Sequence, residues 1–326
     1  MIQENIALWR QVQRKNFTDW KKLAQFLDFS EENEKRIVDV AQFPLNLPYR
    51  LAEKIQKNDL SDPILRQFLP ITDELVLKDD FILDPVGDQQ ARKSGKLLHK
   101  YQGRALLVTT SACAMHCRYC FRRNFTYETN KKGYQDELAA ISRDTSIKEI
   151  ILSGGDPLSL SNSSLSDLIH ELSKMDHIDK IRFHSRFPIG IPERIDEELL
   201  TILAHCPKQV IFVIHCNHPK ELDEDVCLSL KKIQRLGIPM LNQSVLLKGV
   251  NDQIFTMKDL LEKLSNHGII PYYLHQLDRA QGTSHFETSE DVGTNMIKQL
   301  TKEMPGYSIP KFVKEIAGMP SKTPIM

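Results

Sequence analysis

The stretch Ala105-Leu-Leu-Val-Thr-Thr110, running into Ser111-Ala-Cys113-Ala-Met-His-Cys117-Arg-Tyr-Cys120-Phe-Arg-Arg123, decides how this chain is read. A short apolar run bounded by small polar residues predicts a buried strand. The loop after it spaces three cysteines as Cys-x3-Cys-x2-Cys. Iron–sulfur clusters are usually held by four thiolates, so a compact set of three leaves one iron open to a ligand that is not protein. A structural zinc site would need a fourth ligand, which His116 could supply only awkwardly from between two cysteines, and such sites usually come as two separated pairs. A disulfide framework fits less well, because the chain has six cysteines in 326 residues and no secretory n-region or h-region at its start. The cysteine usage predicts a reducing, cytoplasmic setting.

Outward from this strand the pattern repeats. Ala105–Thr110, Glu149–Ser153, Ile181–Ser185, Val210–His215, Pro239–Val245 and Ile270–His275 read as strands alternating with helical periodicity. Six units roughly 30 to 45 residues apart predict an α/β fold, an incomplete (βα)6 version of the TIM-like barrel, with its chemistry at the carboxyl ends of the strands. The distinctive polar groups fall there: the cysteine loop, Ser153-Gly-Gly-Asp-Pro157, His184-Ser-Arg186, His215-Cys-Asn-His218, Asn242-Gln-Ser244 and His275-Gln-Leu-Asp278. Residues 1–100 are rich in helix formers and caps (Thr18, Ser30, Asp62-Pro63) and predict a helical extension, with Trp9 and Trp20 as core aromatics. Residues 101–290 then form the barrel and 291–326 a carboxyl-terminal segment.

Forty-three basic residues balance forty-three acidic ones, which removes the electrostatic footprint of a protein whose main partner is nucleic acid. No apolar run approaches the ~20 residues that cross a bilayer, so no membrane span is predicted.

These motifs together resemble the radical S-adenosylmethionine (SAM) superfamily, and within it the lysine 2,3-aminomutase family. The resemblance runs from about Pro48 to Met326. It rests on Leu97-Leu-His-Lys-Tyr-Gln-Gly-Arg104, Cys113–Arg123, Ser153–Leu158, Asn242-Gln-Ser-Val-Leu-Leu247, Pro271-Tyr-Tyr-Leu-His275 and Pro320-Ser-Lys-Thr-Pro324. It is strongest to the branch that makes (R)-β-lysine for translation elongation factor P.

The resemblance implies that Cys113, Cys117 and Cys120 ligate a [4Fe–4S] cluster whose fourth iron takes SAM. It places Tyr119, Ser153, Gly154, Gly155, Asp156 and His215 around that cofactor, the glycines because they let backbone approach closely. It makes Lys322 the residue that carries pyridoxal 5′-phosphate. Without the family, a lysine at this point would read as merely solvated. Lys100, Arg104, Asn242 and Gln243 become the cofactor's other contacts, with Lys100 a point donor where free-lysine enzymes have a planar arginine. Arg122 is implied as partner of the substrate α-carboxylate, and Asp278 and Glu315 as partners of the ε-ammonium. Glu315 stands one methylene longer than the aspartate of the free-lysine enzymes.

The implied reaction moves the amino group of L-lysine from Cα to Cβ after a 5′-deoxyadenosyl radical has taken hydrogen from Cβ. The implied partners are a one-electron reductant such as flavodoxin and a lysyl ligase acting on elongation factor P. Other readings are a catabolic or osmolyte-producing lysine 2,3-aminomutase, a glutamate 2,3-aminomutase, a radical enzyme that modifies RNA or protein directly, or a non-catalytic binding protein. Cys206, Cys216 and Cys227 make no metal pattern and read as structural thiols. The chain has only four residues after Lys322, so the zinc-binding carboxyl-terminal segment of the free-lysine enzymes is not expected, and their oligomeric state does not carry over.

Overall fold

A computed structural model describes residues 6–326. Among them, ten strands form one sheet in sequence order. These are β1 (Arg92–Ser94), β2 (Leu97–Tyr101), β3 (Arg104–Thr110), β4 (Glu149–Gly154), β5 (Lys180–Ser185), β6 (Gln209–Ile214), β7 (Met240–Val245), β8 (Ile270–His275), β9 (Lys311–Lys314) and β10 (Thr323–Pro324). From β3 to β9 every neighbouring pair is parallel. β3 to β8 are the six strands that the apolar runs predict. Each parallel step has to be closed by a crossover, and helices such as Asn162–Ser173, Glu224–Gln234 and Ile254–Asn266 supply it.

Two corrections follow at the sheet's edges. The end of the amino-terminal stretch is not helical: β1 and β2 form an antiparallel hairpin that continues antiparallel onto β3. At the other edge, β9 adds a seventh parallel strand and β10 folds back on it, so the sheet begins before residue 101 and continues past residue 290. Helices are otherwise placed as their caps predict, with one shift: Asp19, not Thr18, caps Trp20–Phe26 by accepting from the Lys21 amide.

Strand alternation decides what faces the barrel interior. On β5, Ile181, Phe183 and Ser185 are buried against the helical layer, while Lys180, Arg182 and His184 line an interior cavity. The helix over them, Asn162–Ser173, buries Leu165, Leu168, Ile169 and Leu172, a single stripe at 3.6-residue spacing. Helix Glu290–Glu303 comes so close to β9 that a Cβ on Gly293 would lie 2.2 Å from the Phe312 ring, a position only glycine fills.

The amino-terminal extension braces the cysteine loop. Trp9 is buried and packs edge-on to Phe187 with Arg194 over its face, whereas Trp20 is only half-buried and donates to Asp39. Asn16 donates to the Ala114 carbonyl, Asn46 to that of Cys113, and the His116 amide to the Asn46 carbonyl. Arg118 is fully buried against Glu74 and the Phe43 carbonyl. These groups would be costly to bury unpaired, so the loop and the extension fix each other.

Candidate active site

The interior cavity has a volume of about 580 Å³. Lys100, Arg104, Arg122, Ser153, His215 and Gln243 line it, as do Asp278, Glu315 and Lys322. Nine of the residues singled out from sequence are thereby brought to one space from seven separate stretches of chain.

Lys322 reaches this space through a hairpin. β10 pairs with β9 in the register Thr323 to Lys314, which puts Lys322 opposite Glu315. The Lys322 ammonium donates to Glu315 Oε2 at 2.8 Å and lies 5.8 Å over the Tyr273 ring. Gly318, at φ +81°, allows the turn between them.

Glu315 also accepts from Lys100 at 3.0 Å, and Lys100 in turn contacts Asp88 at 2.6 Å. Asp88 closes the chain of charges by accepting from Arg122 Nε at 2.7 Å. Five ionised groups thus alternate in sign from Lys322 to Arg122. Burial alone would raise both Glu315 and Asp88, but the adjacent cations win and hold each carboxyl below its ordinary value. At Asp278 the balance is reversed: burial, reinforced by the Glu315 charge, outweighs Lys322 and Lys100 and pushes it up to about 7.

Asp88 escapes a reading of the sequence. It sits in the irregular segment Asp84-Pro-Val-Gly-Asp88, where no periodicity marks it, and it meets Arg122 only across 34 residues. The signal that could have found it is the turn chemistry of that segment. Its Gly87 takes φ +69°, and Asp84 accepts from the Asp88 amide.

Three of the expected site residues have their polar groups engaged by the chain itself. Asn242 is buried on the helix-facing side of β7, because only the odd residues Leu241, Gln243 and Val245 face the cavity. Its amide accepts from the Cys216 amide at 2.9 Å and donates to the Cys216 carbonyl and to Ser244 Oγ. We expect Asn242→Ala to cost about 1–3 kcal/mol, read as a lower urea midpoint, with unchanged SAM affinity in the folded protein. Asp156 is likewise used by the chain itself: burial pushes it up to about 6, and it accepts from the amides of Leu158, Arg186 and Phe187 and from Ser185 Oγ. Lys100 spends its three donors on Asp88, Glu315 and the Val86 carbonyl, which leaves Arg104 and Gln243 for an anionic ligand. The Arg104 guanidinium lies 4.6 Å over the Tyr101 ring.

The three cysteines of the loop are half-buried free thiols. Burial and their mutual repulsion push Cys113 well above its ordinary value and Cys120 up to about 11. His116 is turned away, with Nδ1 on the Pro44 carbonyl. Gly154 and Gly155 lie under the loop: a Cβ on Gly155 would sit 2.2 Å from the Ala112 carbonyl oxygen. Tyr119 is half-buried, edge-on to Phe286, with its hydroxyl at Arg186. Cys216 and Cys227 are buried and Cys206 half-buried, all free thiols.

A barrel of parallel strands with three thiols over its carboxyl end and a polar cavity beneath defines a radical SAM enzyme. The description of the radical SAM superfamily matches residues 107–264. The fold is also that of Streptococcus suis SuiB bound to S-adenosylmethionine (TM-score 0.51, 13% identity, 66% of this chain and 51% of that one). A radical SAM methyltransferase from Sphaerobacter thermophilus shares it (TM-score 0.50, 16% identity, 67% and 68%). By sequence the chain is 39% identical to the L-lysine 2,3-aminomutase of Haemophilus influenzae over 97% of its own length and 94% of that protein's. It is 40% identical to that of Escherichia coli over 94% and 91%, and 32% identical to that of Clostridium subterminale over 100% and 82%. The chain belongs to the L-lysine 2,3-aminomutase family, whose members are isomerases that use a [4Fe–4S] cluster, SAM and pyridoxal phosphate.

The residues present fit these groups. Among the described residues no three His, Cys, Asp or Glu side chains converge as ligands of a single metal ion. A cubane asks for something else, one thiolate for each of three irons, and the cysteine loop offers that set. In the cavity, Gln243 Oε1, His184 Nε2 and His275 Nε2 are buried without a partner, which marks space built for polar ligands. No helix of the described residues is long and apolar enough to cross a membrane.

Proposed function

We propose that this enzyme converts L-lysine to (R)-β-lysine with the help of pyridoxal phosphate, and that the product serves the β-lysylation of elongation factor P. The observation that carries the reading is the bipolar cavity. A guanidinium, Arg122, stands near the cysteine loop, and two carboxyls, Asp278 and Glu315, stand beside Lys322. A diamino acid presents a carboxylate to the first and an ammonium to the second. Glutamate would place its side-chain carboxylate against two acids, which counts against a glutamate aminomutase.

When bound, the cluster and SAM supply a 5′-deoxyadenosyl radical, and pyridoxal phosphate supplies the π-system that lets nitrogen pass from Cα to Cβ. The chain's own part is to bind and orient. Arg122, already aligned by Asp88, receives the α-carboxylate. Glu315 can exchange the Lys322 ammonium for that of the substrate, because both are primary ammonium groups of one chemistry. Arg104 and Gln243 hold the phosphate. His184, His215 and His275, shifted below the ordinary histidine value by their enclosed setting, stay neutral, so they add no charge where a radical must pass.

The test is an anaerobic assay of the reconstituted protein with SAM, pyridoxal phosphate, dithionite and L-lysine, with products resolved by chiral chromatography. (R)-β-Lysine is the expected product. (S)-β-Lysine would point to a free-lysine mutase, and deoxyadenosine without β-lysine would overturn the substrate assignment. The same assay carries a pH prediction. Asp278 is raised to about 7, so its carboxylate is present above that pH and lost as pH falls through it. KM for lysine should therefore rise by up to about tenfold per pH unit below 7 and level off above it. In Asp278→Asn that slope should disappear.

A further inference from the structure

Beneath the cysteine loop lies a buried guanidinium for which the proposed reaction has no use. Arg186 follows β5 and is only 5% exposed. Its Nη1 is 2.8 Å from Cys117 Sγ and 2.5 Å from the Tyr119 hydroxyl. Its Nη2 donates to Gln67 Oε1 at 2.7 Å and to Glu221 Oε2 at 2.8 Å. Glu221 is fully buried and is held in turn by the amides of Asn217 and His218 and by Gln67 Nε2. The Arg186 backbone amide is tied to Asp156. The cation is thus fixed from four sides, with its positive end on the sulfur and its counter-ion on the far nitrogen.

Such an ion pair is expensive to bury, and truncating either partner strands a charge in the interior. Nothing in the packing asks for it here, since Phe68 and Tyr119 flank the guanidinium with apolar faces. Its orientation supplies a reason. Reduction of [4Fe–4S]2+ adds one electron and no proton, so the cluster and its thiolates become more negative. A fixed positive charge and an N–H donor on one sulfur favour that more negative state, and the low polarity of the site strengthens the effect.

We propose that Arg186 is a positioning residue that sets the reduction potential of the cluster, donating a charge-assisted hydrogen bond to the Cys117 sulfur and thereby favouring the reduced form. The electron comes from an external low-potential one-electron donor; Arg186 keeps all its protons. Glu221 moderates the effect from the opposite side, and Gln67 brings the amino-terminal extension into the same arrangement. The inference rests on the assignment of Cys113, Cys117 and Cys120 to the cluster.

The experiment is a redox titration of the reconstituted full-length protein, without SAM, in which the reduced cluster is followed by electron paramagnetic resonance. Arg186→Gln should lower the ratio of reduced to oxidised cluster at a fixed potential by about tenfold, equivalent to ~59 mV for a one-electron couple. Glu221→Gln, which leaves the guanidinium in place and removes its counter-charge, should move the potential the other way. A structural role alone would shift both variants alike or neither, and either result overturns the proposal. Should Arg186→Gln fail to fold, Glu221→Gln decides by itself: a raised potential supports the proposal and an unchanged or lowered one overturns it. Failure of the wild-type chain to assemble any cluster would instead overturn the cysteine assignment, a separate outcome read from its iron content.

Discussion

Cys120→Ala will assemble no [4Fe–4S] cluster and will release no detectable deoxyadenosine, while keeping its fold. The expectation follows from the chemistry of the donor set. The chain offers three thiolates where clusters usually take four, so the set has no spare: losing one leaves two irons without a protein ligand. Burial and Cys117 beside it push the Cys120 thiol up to about 11, so iron binding there has to displace a proton. Alanine removes one half-buried sulfur at a cost of about 1 kcal/mol, small against the stability of a domain. The bracing by Asn16, Asn46 and Arg118 does not depend on that sulfur. The checks are iron content, the visible charge-transfer absorption and deoxyadenosine release, with thermal denaturation as control. A full cluster in Cys120→Ala would mean that another side chain ligates the iron.

The strands from Ala105 to His275 were legible because each is a short stretch whose apolar residues face the helical layer and which a turn, a cap or a glycine cuts off. β9 was not legible. Lys311-Phe-Val-Lys314 is four residues with a lysine at each end, and only Phe312 and Val313 are buried. It becomes a strand because β8 offers it an edge and Gly293 a recess. The same limit hid β1 and β2, a hairpin that only β2 joins to β3. Within the site, side-chain direction was the harder quantity. Neighbours on β7 point to opposite faces, so Gln243 enters the cavity while Asn242 serves the Cys216 backbone, and the motif that contains both could not separate them. The roles of Asp88 and Arg186 lay further out of reach, because Asp88 meets Arg122 across 34 residues and Arg186 meets Cys117 and Gln67 across 69 and 119.

Lys322→Ala will lose β-lysine formation by about 10³-fold or more, equivalent to ~4 kcal/mol of transition-state stabilisation, and will still cleave SAM. The two halves of this expectation come from separate parts of the molecule. Lys322 lies on the carboxyl-terminal hairpin and has no bond to the cysteine loop; its hydrogen bond is to Glu315. Its removal should leave the cluster and its reduction intact. Structure should survive as well, since Glu315 keeps Lys100 as a partner and the β9–β10 register is made by backbone. What goes is the primary amine that stands beside Glu315 on the hairpin, whereas the Lys100 ammonium is held by three acceptors at once. Lys322→Arg sharpens the test. Arginine retains the positive charge opposite Glu315 but cannot form the covalent link to an aldehyde, so turnover should remain lost although the ion pair is restored. Borohydride treatment followed by mass spectrometry should show pyridoxal phosphate retained at position 322 in the wild-type chain and absent from both variants. If either variant turned over at the wild-type rate, the cofactor would have to be anchored elsewhere, and the bipolar reading of the cavity would lose the group at its centre.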